Sequence, residues 1–254
     1  MPHWEQRFDF YQTSHDGARV IVYLDLAAAR HAPVATHSIR LDLRVKMLQP
    51  RSDGLRSNEE FRTLCALEDG LARELETQLH AIYVGRLISG GYVDFIFYAP
   101  ESQIEPAGTP LAGLDASPYV IEALLEPDEG WEKYGAMYPD SSAMRSISNR
   151  NVVDAMTKRG DHLEVEREVD HLVYFSSEEK AQAAGGALAA VGFRVDPVRP
   201  PMEPGEPWAL AFHRNERCDG DHPDRFVFEV LDLVVPLDGD YDGWGCEVQR
   251  RPGN

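Results

Sequence analysis

The sequence predicts an α+β protein built from two βαββαβ sandwich units, the first with an extra N-terminal β-hairpin. Three observations predict it. The chain has 254 residues, more than one ordinary domain needs. Segments of period two and of period 3.6 interleave over residues 39–126, in the order strand, helix, strand, strand, irregular segment, strand. A second series begins with its own helix after a linker expected near Pro139 to Ser148. The expected domains are therefore residues 1–140 and 148–250.

The N-terminal hairpin pairs residues 5–13 with 18–27 across the turn Asp16-Gly17. Ile39 to Leu48 alternates cleanly, with Ile39, Leu41, Leu43, Val45 and Met47 on one face, and Pro50 and Asp53-Gly54 end it. Ser57 to Leu79 is the strongest helix. Ser57 and Glu60 have capping-box spacing, and Phe61, Leu64, Leu67, Leu71 and Leu75 form a stripe expected in the core. Residues 81–88 and 92–98 read as a hairpin across Gly90-Gly91. The Pro- and Gly-rich residues 100–118 read as loop or short irregular helix, Tyr119 to Leu125 as a strand, and Trp131 to Met137 as a short amphipathic helix. With the order above, residues 39–126 are compatible with a ferredoxin-like unit.

The second series opens with a helix from Asn149 to Lys158, then a strand from Val169 to Phe175. An Ala-rich helix follows from Ser177, its cap, to Val191, with Gly192 as its stop. Phe193 to Val198 and Trp208 to Arg214 read as strands around a Pro-rich loop, and Tyr241 to Val248 as the last strand. Phe226 to Val235 is ambiguous. Its β-branched and aromatic content favours a strand, whereas Phe226, Val230, Leu233 and Leu237 fit a helical face. If it is a helix, this half is also βαββαβ.

The net charge of −18 is divided evenly: −10 over residues 1–144 and −8 over 145–254. Such a surface repels phosphate backbones and anionic membranes, so neither direct nucleic-acid binding nor membrane binding is expected; a basic protein partner is favoured. The three cysteines, Cys65, Cys218 and Cys246, have neither disulfide-framework nor zinc-site spacing. They fit a reducing cytosol. The N-terminus lacks a signal peptide's apolar core, and no apolar run approaches the roughly 20 residues of a membrane helix. A soluble, cytoplasmic protein is expected, and composition leaves its oligomeric state open.

The densest cluster of special residues is Gly239-Asp240-Tyr241-Asp242-Gly243-Trp244. Glycine and aspartate weaken strands, so the expectation is a fixed turn presenting two carboxylates and two aromatics. Asp240, Tyr241, Asp242 and Trp244 are the candidate partner-interface residues. From Asp238 the segment also matches the first half of a calcium loop, but position twelve is Gln249 and Glu247 falls two residues early. A tight turn is the simpler reading. Asp170-His171 has the composition of half a dyad, yet adjacent strand residues point to opposite faces, so a structural role is favoured. Cys218-Asp219-Gly220-Asp221-His222 holds metal-ligand types without regular spacing and reads as a solvated loop. Trp208 is expected in the core, while Trp244 divides evenly between core and interface. No P-loop or dinucleotide fingerprint is present, and no catalytic residue, metal or cofactor is expected.

Gly160-Asp161, Arg167, Val169-Asp170-His171, Tyr174-Phe175, Gly192-Phe193, Trp208 and the Gly239–Trp244 cluster keep the spacing of a known family. Over about residues 148–248 the chain resembles the ribonuclease E inhibitor family, also called regulator of ribonuclease E activity B. That resemblance implies a ferredoxin-like fold, which tips Phe226–Val235 toward helix. It also implies a non-catalytic, cofactor-free regulator whose partner is an endoribonuclease of the ribonuclease E type. The alternative is a hydrolase or metal-dependent enzyme using the Asp/His-rich loops. Asp53-Gly54-Leu55, Glu59, Leu64, Glu68-Asp69, Tyr83-Val84-Gly85-Arg86, Phe97-Tyr98, Trp131-Glu132-Lys133-Tyr134 and Tyr138-Pro139 resemble a bacterial domain family of unknown function. No activity follows from that second match.

Overall fold

The computed structural model describes residues 2–104 and 116–249. It is a mixed structure, 34% helical and 32% strand, with antiparallel sheets. The chain divides into two compact units, Met1–Met144 and Arg145–Asn254.

In the first unit, strands β1 (Phe8–His15) and β2 (Ala18–Asp25) form the hairpin. Strand β3 (Ile39–Lys46) leads to helix α1 (Phe61–Leu79), and β4 (Ile82–Ser89) and β5 (Tyr92–Ala99) form the second hairpin. Strand β6 (Ile121–Pro127) and helix α2 (Glu132–Met137) complete it. The sheet order is β1-β2-β4-β5-β3-β6, antiparallel throughout. Leu41, Leu43 and Val45 pack under the α1 stripe Leu64, Leu67, Leu71 and Leu75. Much of the irregular segment expected at 100–118 lies outside the described residues.

Two helix-start expectations are corrected. Ser57 Oγ does accept the Glu60 amide, at 3.4 Å, but this closes a turn ahead of the helix. The Glu60 carboxylate is diverted from the capping box to the amides of Leu48 (2.6 Å) and Gln49 (2.9 Å), which β3 leaves unpaired as it ends. Phe61 consequently sits at the helix mouth, 44% exposed beneath the Arg56 guanidinium rather than in the core.

On the other face of this sheet, aromatics are fixed by their polar tips. Tyr98 and Trp131 stack at 4.1 Å. The Tyr98 hydroxyl donates to Asp128 (2.7 Å), Trp131 Nε1 to the His37 carbonyl (2.8 Å), and the Tyr134 hydroxyl to the Asp25 carbonyl (2.8 Å). Asp128 also accepts the Glu132 and Lys133 amides, so one carboxylate starts α2 and anchors Tyr98.

In the second unit, helix α3 (Ser141–Lys158) precedes β7 (Arg167–Phe175), α4 (Glu178–Ala190), β8 (Arg194–Val195), β9 (Trp208–Glu216), α5 (His222–Val234) and β10 (Asp240–Cys246). Helix α3 runs through the segment expected as linker, from Ser141 rather than Asn149. The ambiguous segment is helical, because Phe226, Val227, Val230 and Val234 form its buried stripe. Ser177 and Gly192 bound α4 as expected: Ser177 accepts the Lys180 amide and Gly192 has φ +94°. Strand β8 shrinks to two residues. The sheet order is β10-β7-β9-β8, again antiparallel.

Each sheet carries a one-residue bulge that ends on a glycine. In β4 the register shifts between Tyr83 and Gly85, and Gly85 has φ +153°. Tyr83 and Arg86, three residues apart, thereby share a face, and both bond the Glu68 carboxylate of α1. A methyl group at Gly85 would lie 2.2 Å from the Tyr23 carbonyl oxygen. The Gly85→Ala variant should therefore lose on the order of 2–4 kcal/mol of stability in urea unfolding, through strain and clash together.

Candidate partner-binding face of the C-terminal sheet

Strand β7 sorts its side chains by strict alternation. Arg167, Val169, His171, Val173 and Phe175 are buried, while Glu168, Asp170, Leu172 and Tyr174 point the other way. On β9, Leu210 and Phe212 are buried and face the same way as Val173 and His171, which they oppose. Helices α4 and α5 supply the rest of the core, through Ala181, Ala184, Leu188, Phe226, Val227 and Val230.

Strand β10 departs from simple alternation. Tyr241 pairs with Val173, Gly243 with Leu172 and Trp244 with His171, so Asp242 is the extra residue of a bulge. Gly243 takes φ +146°, a conformation open to glycine. Tyr241 and Trp244 are three positions apart and would lie on opposite faces of a regular strand. The bulge turns both inward. Tyr241 is 4% exposed, and its hydroxyl lies 2.8 Å from His171 Nδ1. Trp244 Nε1 donates to Asn149 Oδ1 of α3 (2.9 Å), and its ring meets Phe226 edge-on at 5.1 Å. Asn149 in turn donates to Asp224 of α5 (2.8 Å).

The four candidate interface residues thus separate. Asp240 and Asp242 are exposed, whereas Tyr241 and Trp244 pack into the core side. The segment expected as a turn is a bulged edge strand. Gly239, just before it, sits against Phe175 and the Val234 carbonyl, each 2.8 Å from where a side chain would begin.

The outward face has a definite composition. Leu172 lies between Ala211 and Gly243, and Tyr174 between Ala209 and Asp240. Leu172 has small neighbours on both sides and Tyr174 on one, and both larger side chains stay half-exposed at its centre. Asp170, Asp240 and Asp242 stand around them, and among the described residues no ion pair engages these three. Glu168, at the far end, is paired with Arg194. Sequence reasoning named the two β10 carboxylates but missed Leu172 and Tyr174 as surface groups, although the alternation of β7 carried that signal.

The Asp/His-rich segments take structural roles. Asp170 and His171 face opposite sides. His171 stacks on Phe212 (5.1 Å, 3°), edges Phe193 and Phe226, and leaves Nε2 without a hydrogen-bond partner. Burial first, and the Arg214 charge second, push its pKa down to about 3, so the ring is neutral near pH 7. Asp219 bonds Arg217 (2.5 and 3.0 Å), and its carbonyl lies 2.8 Å from His222 Nδ1. Asp238 pairs with Lys180 at 2.6 Å. Among the described residues no three His, Cys, Asp or Glu side chains form a metal-holding group. None of the helices described there is long and apolar enough to cross a membrane.

At one end of the sheet, Arg167 and Asp161 form a buried ion pair, 2% and 0% exposed, with contacts of 2.6 and 2.7 Å. Arg167 also donates to the carbonyls of His162 and Val165, and Asp161 accepts the Gln249 amide at 2.9 Å. The pair ties the start of β7 to the segment after β10.

These elements define an α+β protein of two antiparallel sheets, the second with helices on one face and a mixed apolar and charged surface on the other. The chain belongs to the family of unknown function DUF695, whose model matches residues 6–137, just over half of it. Residues 146–246 match a second family model, regulator of ribonuclease activity B. No curated protein matches the chain.

The buried neutral histidine fixes an acid sensitivity. Below a free histidine's pKa of about 6.5, the unfolded chain takes up a proton that the folded chain refuses, so stability falls as pH falls from about 6.5 toward about 3. Urea unfolding between pH 6 and 4.5 should show up to about 1.4 kcal/mol lost per pH unit from this residue. His171→Phe should lack that component, and equal slopes in the two proteins would refute the assignment.

Proposed function

We propose that residues 148–250, within the second unit, form a ferredoxin-like domain that binds an endoribonuclease of the ribonuclease E type and restrains its activity without catalysis of its own. The observation that carries this reading is the outward face of the β10-β7-β9-β8 sheet, in a segment matching the regulator of ribonuclease activity B model. Its strand order is the one a βαββαβ sandwich requires. Helices cover one face of such a sheet and leave the other for a partner. Leu172 and Tyr174 supply an apolar centre, and Asp170, Asp240 and Asp242 supply charge that steers a basic enzyme surface into contact. An acidic inhibitor also competes with RNA for that basic surface. Residues 1–140, within the first unit, fit a ferredoxin-like order over β3 to β6 with the β1–β2 hairpin added, and form an accompanying domain of the same cytoplasmic protein.

The hydrolase reading receives no support from geometry, since Asp170 and His171 diverge and the Asp219 loop is closed on itself. The test adds the full chain to an RNA-cleavage assay with its host's ribonuclease E-type enzyme. Cleavage should slow with increasing protein. Asp170→Asn with Asp240→Asn and Asp242→Asn should lower the association rate severalfold and flatten its salt dependence. Leu172→Asp should weaken the complex by more than about 1 kcal/mol with an unchanged circular dichroism spectrum. Unchanged cleavage, with no complex at micromolar protein and low salt, would exclude the reading.

A further inference from the structure

Three sulfur atoms from distant parts of the second unit meet at one point. Cys218 follows β9, Cys246 ends β10 and Met156 lies in the last turns of α3. Cys246 Sγ is 4.0 Å from Cys218 Sγ and 3.9 Å from Met156 Sδ. Cys218 is 0% and Met156 6% exposed, while Cys246 is half-buried and gives the cluster its opening to solvent. None of the three belongs to the partner-binding face.

We propose that Cys218, Cys246 and Met156 form a binding site for a soft monovalent metal ion, copper(I) by chemistry. With metal–sulfur bonds of about 2.3 Å, as in zinc thiolates, the sulfurs of a trigonal site lie about 4 Å apart, which matches the two edges that Cys246 makes, to Cys218 and to Met156. Two thiolates and a thioether select copper(I), since hard cations require oxygen and zinc favours four nitrogen, oxygen or thiolate ligands. Metal binding releases the thiol protons, and two thiolates with one monovalent cation leave a single negative charge. The buried Arg167–Asp161 ion pair stands beside the cluster, and both of its charges act on the two cysteine sulfurs. The site binds three chain segments together, α3, the β9–α5 loop and the end of β10.

The test uses the full chain with Cys65→Ser, which removes the remaining thiol, and copper(I) supplied anaerobically against a competing copper(I) chelator. The expected result is one copper per chain by native mass spectrometry, with only sulfur neighbours in the X-ray absorption spectrum. Cys218→Ser and Cys246→Ser should each abolish it. Met156→Leu conserves volume and should fold normally, yet weaken copper(I) about tenfold or more. Three results would overturn the proposal: copper lost entirely to the chelator, binding indifferent to Met156→Leu, or a Cys218–Cys246 disulfide in place of the metal.

Discussion

The structure depends on a local constraint that acts twice, the one-residue bulge closed by a glycine. A β-strand places residues of odd separation on opposite faces. In β4 and in β10, residues three apart must nevertheless reach the same layer. Tyr83 and Arg86 must both meet Glu68, and Tyr241 and Trp244 must meet His171 and Asn149. An extra residue in each strand restores the phase, Val84 in one and Asp242 in the other. Glycine follows because φ near +150° is open to it and costly for other residues.

In the second unit the same bulge builds both faces of the sheet. Turning Trp244 inward completes the layer that α3 and α5 share through Asn149 and Asp224. It also leaves Gly243, with no side chain, beside Leu172 on the outside, and sets Asp242 out into solvent. The acidic β10 edge of that surface is therefore a consequence of how the core is closed. A change at this strand alters stability and surface together, so binding measurements on β10 variants need a folding control.

Much of the scaffold was legible. The alternation of Ile39–Met47, the stripe Leu64/Leu67/Leu71/Leu75, and the Ser177 and Gly192 boundaries each follow from local chemistry, and the structure reproduces them. What escaped depends on contacts distant in sequence. Glu60 reads as a local cap but serves the amides of Leu48 and Gln49. Composition and periodicity alone leave α5 ambiguous, because a stripe of Phe and Val fits either period until its partners are known. The cluster Gly239–Trp244 reads as a turn because glycine and aspartate disfavour strands; a bulge tolerates both. Its signal was present in the odd spacing of two aromatics around an Asp-Gly pair, but only the register with β7 gives that spacing a meaning.

The central claim is that Asp242 is a phase-setting insertion in a bulged strand. Deleting it tests this most directly. Removal leaves Tyr241 and Trp244 two positions apart on a regular strand, still opposite Val173 and His171. The account predicts that the Asp242 deletion stays folded and loses less than about 2 kcal/mol in urea unfolding, whereas inserting one alanine after Asp242 turns Trp244 outward and costs several kcal/mol more. A deletion as damaging as the insertion would contradict it.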